Sequence, residues 1–180
     1  MAVEVADLVV RHIRDVDDET LKGFTCGRDQ LDEFLLEDAR DYDAHGITST
    51  VVVFVPGRVA PAGYFSLSAD SVRLTESEEF ELGLPFDAPI SYYPAVKLTK
   101  LATSSDLQSQ GLGEAIVELI CGLVTEVPFA VRVLTVDAVN QPKVIAFYER
   151  LGFVESLADR REKKDQRAPA TVLMVRDLYL

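Results

Sequence analysis

Gln108-Ser109-Gln110-Gly111-Leu112-Gly113 separates two stretches of different hydrophobic periodicity. Before this hexapeptide, residues 96–103 alternate apolar and polar side chains with a period of two, which is typical of a half-buried strand. After it, residues 114–124 carry apolar side chains at helical spacing and predict an amphipathic helix. The sequence therefore predicts a strand, a glycine-containing turn and a helix, in that order.

The turn before this helix is suited to bind an anion. The first N–H groups of a helix have no partner within the helix, and the macrodipole places partial positive charge there. Glycine lets a ligand approach the backbone because it has no Cβ. The sequence has no P-loop, and Ile116 stands where a dinucleotide-binding motif has its third glycine. We therefore expect a pyrophosphate cradle, with a plain helix start as the structural alternative.

Length and composition bound the class of protein. The chain has 180 residues, of which 48% are hydrophobic and 27% are charged, as in globular rather than disordered proteins. We expect residues 1–180 to form a single domain with a sizeable core. The first residues lack the features of a signal peptide, and no apolar run has the length of a membrane span. We expect a cytoplasmic protein with no membrane partner.

The net charge of −12 restricts the partners. It repels phosphate backbones and so disfavours binding to bulk nucleic acid. A basic run at residues 160–167 is the local exception, interpreted as a solvated loop with a phosphate contact as the alternative. The two cysteines, Cys26 and Cys121, have neither metal-ligand spacing nor a disulfide framework. We expect two reduced thiols and no metal.

The rest of the chain predicts an α+β fold around a central mixed sheet. In the first half we predict a strand, a helix and a hairpin of two strands, at residues 6–13, 29–46, 48–55 and 62–74. Residues 75–93 carry four glutamates and two prolines, which predict a short helix and a loop. The second half predicts a strand, a helix and two final strands, at residues 131–137, 143–150, 153–157 and 171–178.

A second motif follows the glycine turn by about 35 residues. It reads Phe147-Tyr148-Glu149-Arg150-Leu151-Gly152-Phe153, a helix with a glycine stop before a strand. The spacing of Phe147 and Leu151, and the Tyr148 ring, also fit an ordinary core. Together the two motifs resemble the coenzyme A loop and the later hallmark of the Gcn5-related N-acetyltransferase (GNAT) family.

The resemblance implies both a fold and a reaction. The fold would be a single GNAT-like α+β domain whose central sheet is mixed and mostly antiparallel, flanked by helices, with splayed fourth and fifth strands. The reaction would be acetyl transfer from acetyl-CoA to a primary amine, by direct attack in a ternary complex. Because no covalent enzyme intermediate forms, Cys26 and Cys121 are not needed as nucleophiles.

A narrower resemblance is to the toxin-type branch of this family. It rests on four short stretches of the first 40 residues, on residues 63–69 and on Val136-Asp137-Ala138. The four stretches are Phe24-Thr25-Cys26-Gly27, Leu31-Asp32, Phe34-Leu35 and Ala39-Arg40. The branch implies acetylation of aminoacyl-tRNA, a small antitoxin partner and a homodimer. The acidic balance argues against tRNA as the acceptor. Gln108 and Ser109 replace the Arg-Gly that often opens the loop, and the spacing from Asn140 to Tyr148 is one residue longer than is common in the family.

The resemblance also assigns roles to individual residues. Tyr148 would be the general acid that protonates the departing thiolate. The strand near Leu101 and Ala102 would hold the pantetheine and the thioester carbonyl, and Asn140 would bond to the pantetheine arm. Backbone N–H groups would bind the pyrophosphate at Gln110, Gly111, Leu112, Gly113 and Glu114. The remaining cofactor-binding residues are Thr103, Gln108 and Phe147.

The general base is not evident from the sequence. Asp137 is the nearest acidic candidate, and the N-terminal cap of the next helix is its structural alternative; water is the other route for the proton. The acceptor also stays open between aminoacyl-tRNA and the amine of a small molecule or peptide. A non-catalytic acyl-CoA-binding or antitoxin-partnered module is the non-enzyme alternative. Retention of Tyr148 and both loop glycines favours the enzyme.

Overall fold

Short helices alternate with strands along the chain. The computed structural model describes residues 4–86, 88–162 and 169–179, without the side chains of residues 161 and 162. The α-helices are α1 (Asp18–Leu21), α2 (Asp29–Glu33), α3 (Ala39–Ala44), α4 (Glu76–Glu81), α5 (Leu112–Thr125), α6 (Pro142–Arg150) and α7 (Leu157–Glu162). The strands are β1 (Val9–His12), β2 (Ser49–Phe54), β3 (Gly63–Val72), β4 (Tyr93–Thr103), β5 (Val133–Val139), β6 (Val154–Glu155) and β7 (Thr171–Asp177).

The described strands form one seven-stranded sheet in the order β1-β2-β3-β4-β5-β7-β6. β2 is antiparallel to both β1 and β3, and β7 is antiparallel to both β5 and β6. β4 and β5 run in the same direction: the Arg132 N–H donates to the Pro94 carbonyl (2.8 Å), and further along both segments the Thr135 hydroxyl oxygen lies 3.4 Å from the Val96 carbonyl oxygen. The predicted mixed, mostly antiparallel sheet is confirmed.

The chain divides into two compact units. Unit 1 comprises Met1–Ser68 and Leu98–Gly122, and unit 2 comprises Ala69–Lys97 and Leu123–Leu180. Strands β3 and β4 each contribute one part to unit 1 and the other part to unit 2. The single domain over residues 1–180 and the splay of the fourth and fifth strands stay predictions.

The core of unit 1 is centred on Tyr64. The rings of Phe24 and Phe34 lie 5.5 and 6.2 Å from the Tyr64 ring, and the Tyr64 hydroxyl donates to the Leu31 carbonyl (2.8 Å). Helix α2 continues through a π-helical turn, Phe34–Asp38, into α3, so the predicted helix at residues 29–46 is confirmed. The wider turn adds one residue per turn locally and re-aims the side chains that follow it.

Unit 2 has its own apolar cluster, which lies between the ends of β3 and β4, helix α4 and the β5–β7 pair. Its buried members are Val72, Leu74, Leu82, Tyr93, Ala95, Val133 and Val175. Arg132 fixes the start of β5 because its guanidinium donates to the Leu82 carbonyl (2.8 Å) and to Asp177 (2.6 Å). Within the described ranges, no helix is long and apolar enough to cross a membrane.

Two strands in the structure have half of their predicted length or less. β1 is confined to Val9–His12 because His12 caps a 3₁₀ turn, Ile13–Asp15, through its side chain. The strand predicted at residues 153–157 is limited to β6, and Leu157 begins helix α7. Ser156 caps that helix by accepting the Asp159 N–H (3.2 Å), a signal that the sequence contained.

Candidate active site

The turn between β4 and α5 is fixed to its surroundings by hydrogen bonds on both sides. The Ser104 N–H donates to the Ala62 carbonyl and the Ser105 N–H to the Thr25 carbonyl, each at 2.8 Å. The Gln108 side-chain amide donates to the carbonyls of Cys26 (2.9 Å) and Thr103 (3.3 Å). Gln108 therefore holds the turn in place, and its contact with a cofactor stays a prediction.

Arg58 fastens the same turn electrostatically. Its guanidinium donates to the Ser104 hydroxyl (2.9 Å) and to the carboxylate of Asp106 (3.1 Å), and Ser104 donates to Asp106 in turn (2.6 Å). The hydrogen bonds from Arg58 and Ser104 lower the pKa of Asp106 to about 2. The carboxylate of Asp106 is therefore ionised throughout the physiological pH range.

The turn enters the left-handed backbone region twice before α5 begins. Ser109 has φ of +62° and is the one non-glycine residue with positive φ in the described ranges; Gly111 has φ of +84°. A Cβ built on Gly111 meets no heavy atom within 4 Å. The backbone at Gly111 therefore faces open space that a ligand can occupy and that a side chain would fill.

The start of α5 supplies donors beside this space. The Ala115 N–H donates to the Gly111 carbonyl (3.0 Å). Helical geometry directs the N–H groups of the preceding residues Leu112, Gly113 and Glu114 toward the N-terminal end of the helix. The Gln110 side chain donates to the Asp106 carbonyl (2.9 Å), so contact of Gln110 with a ligand is predicted for its backbone N–H alone. The residues present thus fit the pyrophosphate of acetyl-CoA.

The end of β4 is packed closely against β3 and α5. A Cβ on Gly63 would lie 2.7 Å from the Ala102 carbonyl oxygen and 3.0 Å from Ile116 Cδ1. Only glycine permits this approach, because such short contacts to Cβ do not occur in folded proteins. Gly63 therefore sets the position of β4 at Ala102, between the half-buried residues Leu101 and Thr103.

Tyr148 lies on α6, in unit 2, with its ring buried between two phenylalanines. The centroids of Phe147 and Phe153 are 5.0 and 5.3 Å from that of Tyr148, both in edge-to-face geometry. Burial raises the pKa of Tyr148 to about 12. The phenol therefore keeps its proton at neutral pH, as a proton donor must.

Asn140 and Asp137 are both engaged by other residues. The Asn140 side chain donates to the Pro169 carbonyl (2.9 Å), so its bond to a pantetheine arm stays a prediction. Asp137 lies within β5, and the N-cap of α6 is Gln141, so the alternative that Asp137 caps the next helix is wrong. Its carboxylate instead accepts from Lys97 Nζ (3.0 Å).

Lys97, on β4, lies between two carboxylates, one on each of the strands β3 and β5 that flank it. Its Nζ lies 3.8 Å from Asp70, whose carboxylate also accepts the Thr135 hydroxyl (2.6 Å). Burial lowers the pKa of Lys97. Its hydrogen bond to Asp137 and the charges of Asp137 and Asp70 raise the pKa by more than burial lowers it, so the net shift is upward. Lys97 therefore stays charged and paired with Asp137, and a role of Asp137 as the general base stays a prediction.

The thiol of Cys26 shows no sign of nucleophilic activation. Cys26 is buried, and burial together with its hydrogen bond to Asp32 raises the pKa of its thiol to about 11. A thiol with that pKa is protonated at neutral pH and is a poor nucleophile. In the part of the chain that the structure describes, no group of His, Cys, Asp and Glu side chains is arranged to hold a metal ion.

The sequence of residues 13–153 matches the sequence model of the Acetyltransferase (GNAT) family. The chain belongs to the GNAT acetyltransferase family. The predictions of an acyltransferase and of acetyl-CoA as its cofactor are confirmed by this membership. A search of curated protein sequences finds no match.

Solved structures of GNAT toxins share the fold. A tyrosine-to-phenylalanine variant of KacT has a TM-score of 0.68 at 24% identity, covering 96% of this chain and 95% of its own. AtaT complexed with acetyl-methionyl-tRNAfMet has a TM-score of 0.71 at 22% identity, covering 93% and 94%. An AtaT variant bound to acetyl-CoA and to the C-terminus of the antitoxin AtaR has a TM-score of 0.67 at 20% identity, covering 96% and 94%. The resemblance to the toxin-type branch of GNAT acetyltransferases is confirmed for the fold.

Sequence reasoning missed the residues that support the GNAT loop. Arg58 and Asp106 are 48 positions apart, and no local pattern pairs them. Ser109 is different, because it stands where members of the family often have glycine. The positive φ of this position explains why glycine is common there. The replacement of that glycine by Ser109 was therefore the sequence signal for an unusual backbone conformation.

Proposed function

We propose that the protein is an N-acetyltransferase that transfers the acetyl group of acetyl-CoA to a primary amine by direct attack in a ternary complex. The observation that carries the proposal is the open, left-handed backbone at Gly111 where α5 begins. A cradle of this kind takes a pyrophosphate without a side-chain ligand. The GNAT sequence match, which spans this turn and Tyr148, supports the same reaction.

The cofactor would be held by backbone groups. The N–H groups at residues 110–114 would bind the pyrophosphate, and residues 101–103 of β4 would bind the pantetheine and polarise the thioester carbonyl. Acetyl-CoA supplies the activated acyl group when bound. Because the Arg58–Asp106 pair and Gln108 already fix the turn, its donors need little reorganisation on binding, which favours both affinity and rate.

Tyr148 would donate the proton at the departing sulfur. An ordinary thiol has a pKa of about 8.5, so full transfer from a phenol of pKa about 12 costs about 3 to 4 pKa units, or about 5 kcal/mol. We therefore infer that Tyr148 donates a hydrogen bond to the sulfur as negative charge develops. As the C–S bond breaks, the phenol proton passes to the thiolate. The proton lost by the attacking amine, carried by water, restores the phenol.

The acceptor has two candidates, each with its own support. Aminoacyl-tRNA is the first, supported by the likeness to AtaT, which is seen with acetyl-methionyl-tRNAfMet. A small amine is the second, favoured by the net charge of −12, which repels a polyanion.

By the likeness to AtaT we also propose a small antitoxin partner. A neighbouring reading frame that encodes a small DNA-binding protein would support this partner. A cytoplasmic homodimer completes the proposal.

Release of CoA thiol distinguishes these possibilities. The purified protein is incubated with acetyl-CoA and either charged tRNA or a panel of small amines, and a protein that releases no thiol with any acceptor refutes the proposal. The interpretation of the basic run at residues 160–167 as a loop is wrong for residues 160–162, which belong to α7. Residues 163–167, and the side chains of residues 161 and 162, lie outside the part that the structure describes. Reversing the charges of the basic run should abolish acetylation of charged tRNA and leave that of a small amine unchanged; equal effects on both would refute a tRNA contact there.

A further inference from the structure

Helix α4 presents a phenylalanine to solvent and buries a glutamate. Phe80 is 88% exposed, whereas Glu78 is 7% exposed, the reverse of what the hydrophobic effect favours. Two hydrogen bonds hold this orientation: one Glu78 oxygen accepts the Thr75 N–H (2.7 Å) and the other accepts the Leu157 N–H (2.8 Å). Leu82 is buried on the same side. Phe80 therefore cannot turn inward without breaking both bonds.

The solvent-facing side of α4 is named the α4 face and consists of Glu76, Ser77, Phe80 and Glu81, all exposed. Helical spacing places Glu76 and Ser77 one turn before Phe80, as its neighbours on the helix surface, and Glu81 is the next exposed residue. An aromatic ring surrounded by polar and charged groups is the usual arrangement of a binding hot spot and its rim. The following loop exposes three more large apolar side chains, at Phe86, Ile90 and Tyr92.

The charge of the α4 face determines the kind of partner. Glutamates beside the ring repel the phosphates of nucleic acids and of anionic membranes, and the net charge of −12 adds to that repulsion. A second copy docking through the same face would oppose glutamates to glutamates. A cationic polypeptide is attracted instead, and an apolar side chain from it can cover the ring.

We propose that the α4 face binds a cationic polypeptide segment in which lysine or arginine flanks an apolar side chain. The carboxylates of Glu76 and Glu81 would steer the segment, and burial of the Phe80 ring would supply most of the affinity. None of the four residues of the α4 face is among those assigned to acetyl transfer, so the proposal goes beyond the proposed function.

A peptide-binding measurement on the full chain tests this proposal. The probe is a fluorescent synthetic peptide of alternating lysine and leucine, followed by anisotropy at low salt. Phe80→Ser should raise the dissociation constant by about 10-fold or more, because the buried area of one aromatic ring is lost. The matched control is Phe129→Ser, also in unit 2 and 61% exposed, which should change it less than about 2-fold. Replacing Glu76 and Glu81 by glutamine should reduce the salt dependence.

Three results would overturn the proposal. The first is that Phe80→Ser and Phe129→Ser bind the peptide with equal dissociation constants, or that neither these variants nor the parent protein binds it. The second is equal affinity for a peptide of lysines alone, which would assign the binding to charge without the ring. The third is a loss of self-association in Phe80→Ser, measured by sedimentation, which would assign the α4 face to a second copy. Acetyl transfer to a small amine should be unchanged in every variant.

Discussion

Replacement of Gly111 by valine should weaken the binding of acetyl-CoA strongly. The valine side chain would fill the open space at the start of α5, where the phosphates are expected. Charge-assisted hydrogen bonds contribute about 1.5–3 kcal/mol each. Loss of one such contact raises the dissociation constant by about 10- to 150-fold, at about 1.4 kcal/mol per tenfold change. Titration calorimetry with acetyl-CoA measures the constant directly.

The variant also strains the backbone, so it needs a control with equal strain. Gly46 has φ of +67°, and a Cβ there also meets no atom within 4 Å. Gly46 lies three residues before Ser49, which pairs with Leu67 in the middle of β3. The turn before α5 is instead bonded to Ala62, immediately before β3 begins. Both variants should lose about 1–2 kcal/mol of stability from the left-handed conformation. If Gly111→Val and Gly46→Val bind acetyl-CoA within a factor of two of each other, the cradle is refuted.

Further predictions concern Tyr148 and Gly63. Tyr148→Phe should reduce kcat by ~10²–10⁴-fold and leave the acetyl-CoA dissociation constant unchanged; normal turnover where chemistry limits the rate would contradict the assignment. Because burial raises the pKa of Tyr148 to about 12, the group stays protonated across pH 7 to 10, and a kcat inflection in that range that disappears in Tyr148→Phe would contradict its burial. Gly63→Ala should cost about 1–3 kcal/mol by overpacking, measured by denaturant unfolding, and should raise the KM for acetyl-CoA because Ala102 must move. Gly122→Ala, on α5 with no atom within 4 Å of its Cβ, should be neutral or stabilising; equal losses in the two alanine variants would refute the close approach.

The fold was predictable from sequence where local pattern and element length agree. The strand and helix on either side of the glycine turn were found, and β4 differs mainly in beginning at Tyr93 rather than at residue 96. The boundaries failed where side chains far apart in sequence decide them. β6 stops after Glu155 because Glu78, on α4, accepts the N–H of Leu157 and so helps to begin α7.

The candidate site was predictable only for residues that carry the family motifs. Gly111 and Tyr148 stand in local patterns, and the structure gives each a conformation or environment suited to its predicted role. Lys97 could not be inferred, since its ion pair with Asp137 spans 40 positions. For the same reason, Asp137 was predicted from the sequence to be a base or a helix cap and not the partner of Lys97 in a salt bridge.

The carboxylate of Glu78 couples the local unfolding of α4 to that of α7. Each helix has six residues, too few to be stable in isolation. One oxygen of Glu78 satisfies a donor at the start of α4, and the other satisfies the first N–H of α7. Opening either helix leaves half of a buried carboxylate without its bond, which favours opening of the other. The two helices, about 80 residues apart, thus form one cooperative unit in which amide protons exchange together.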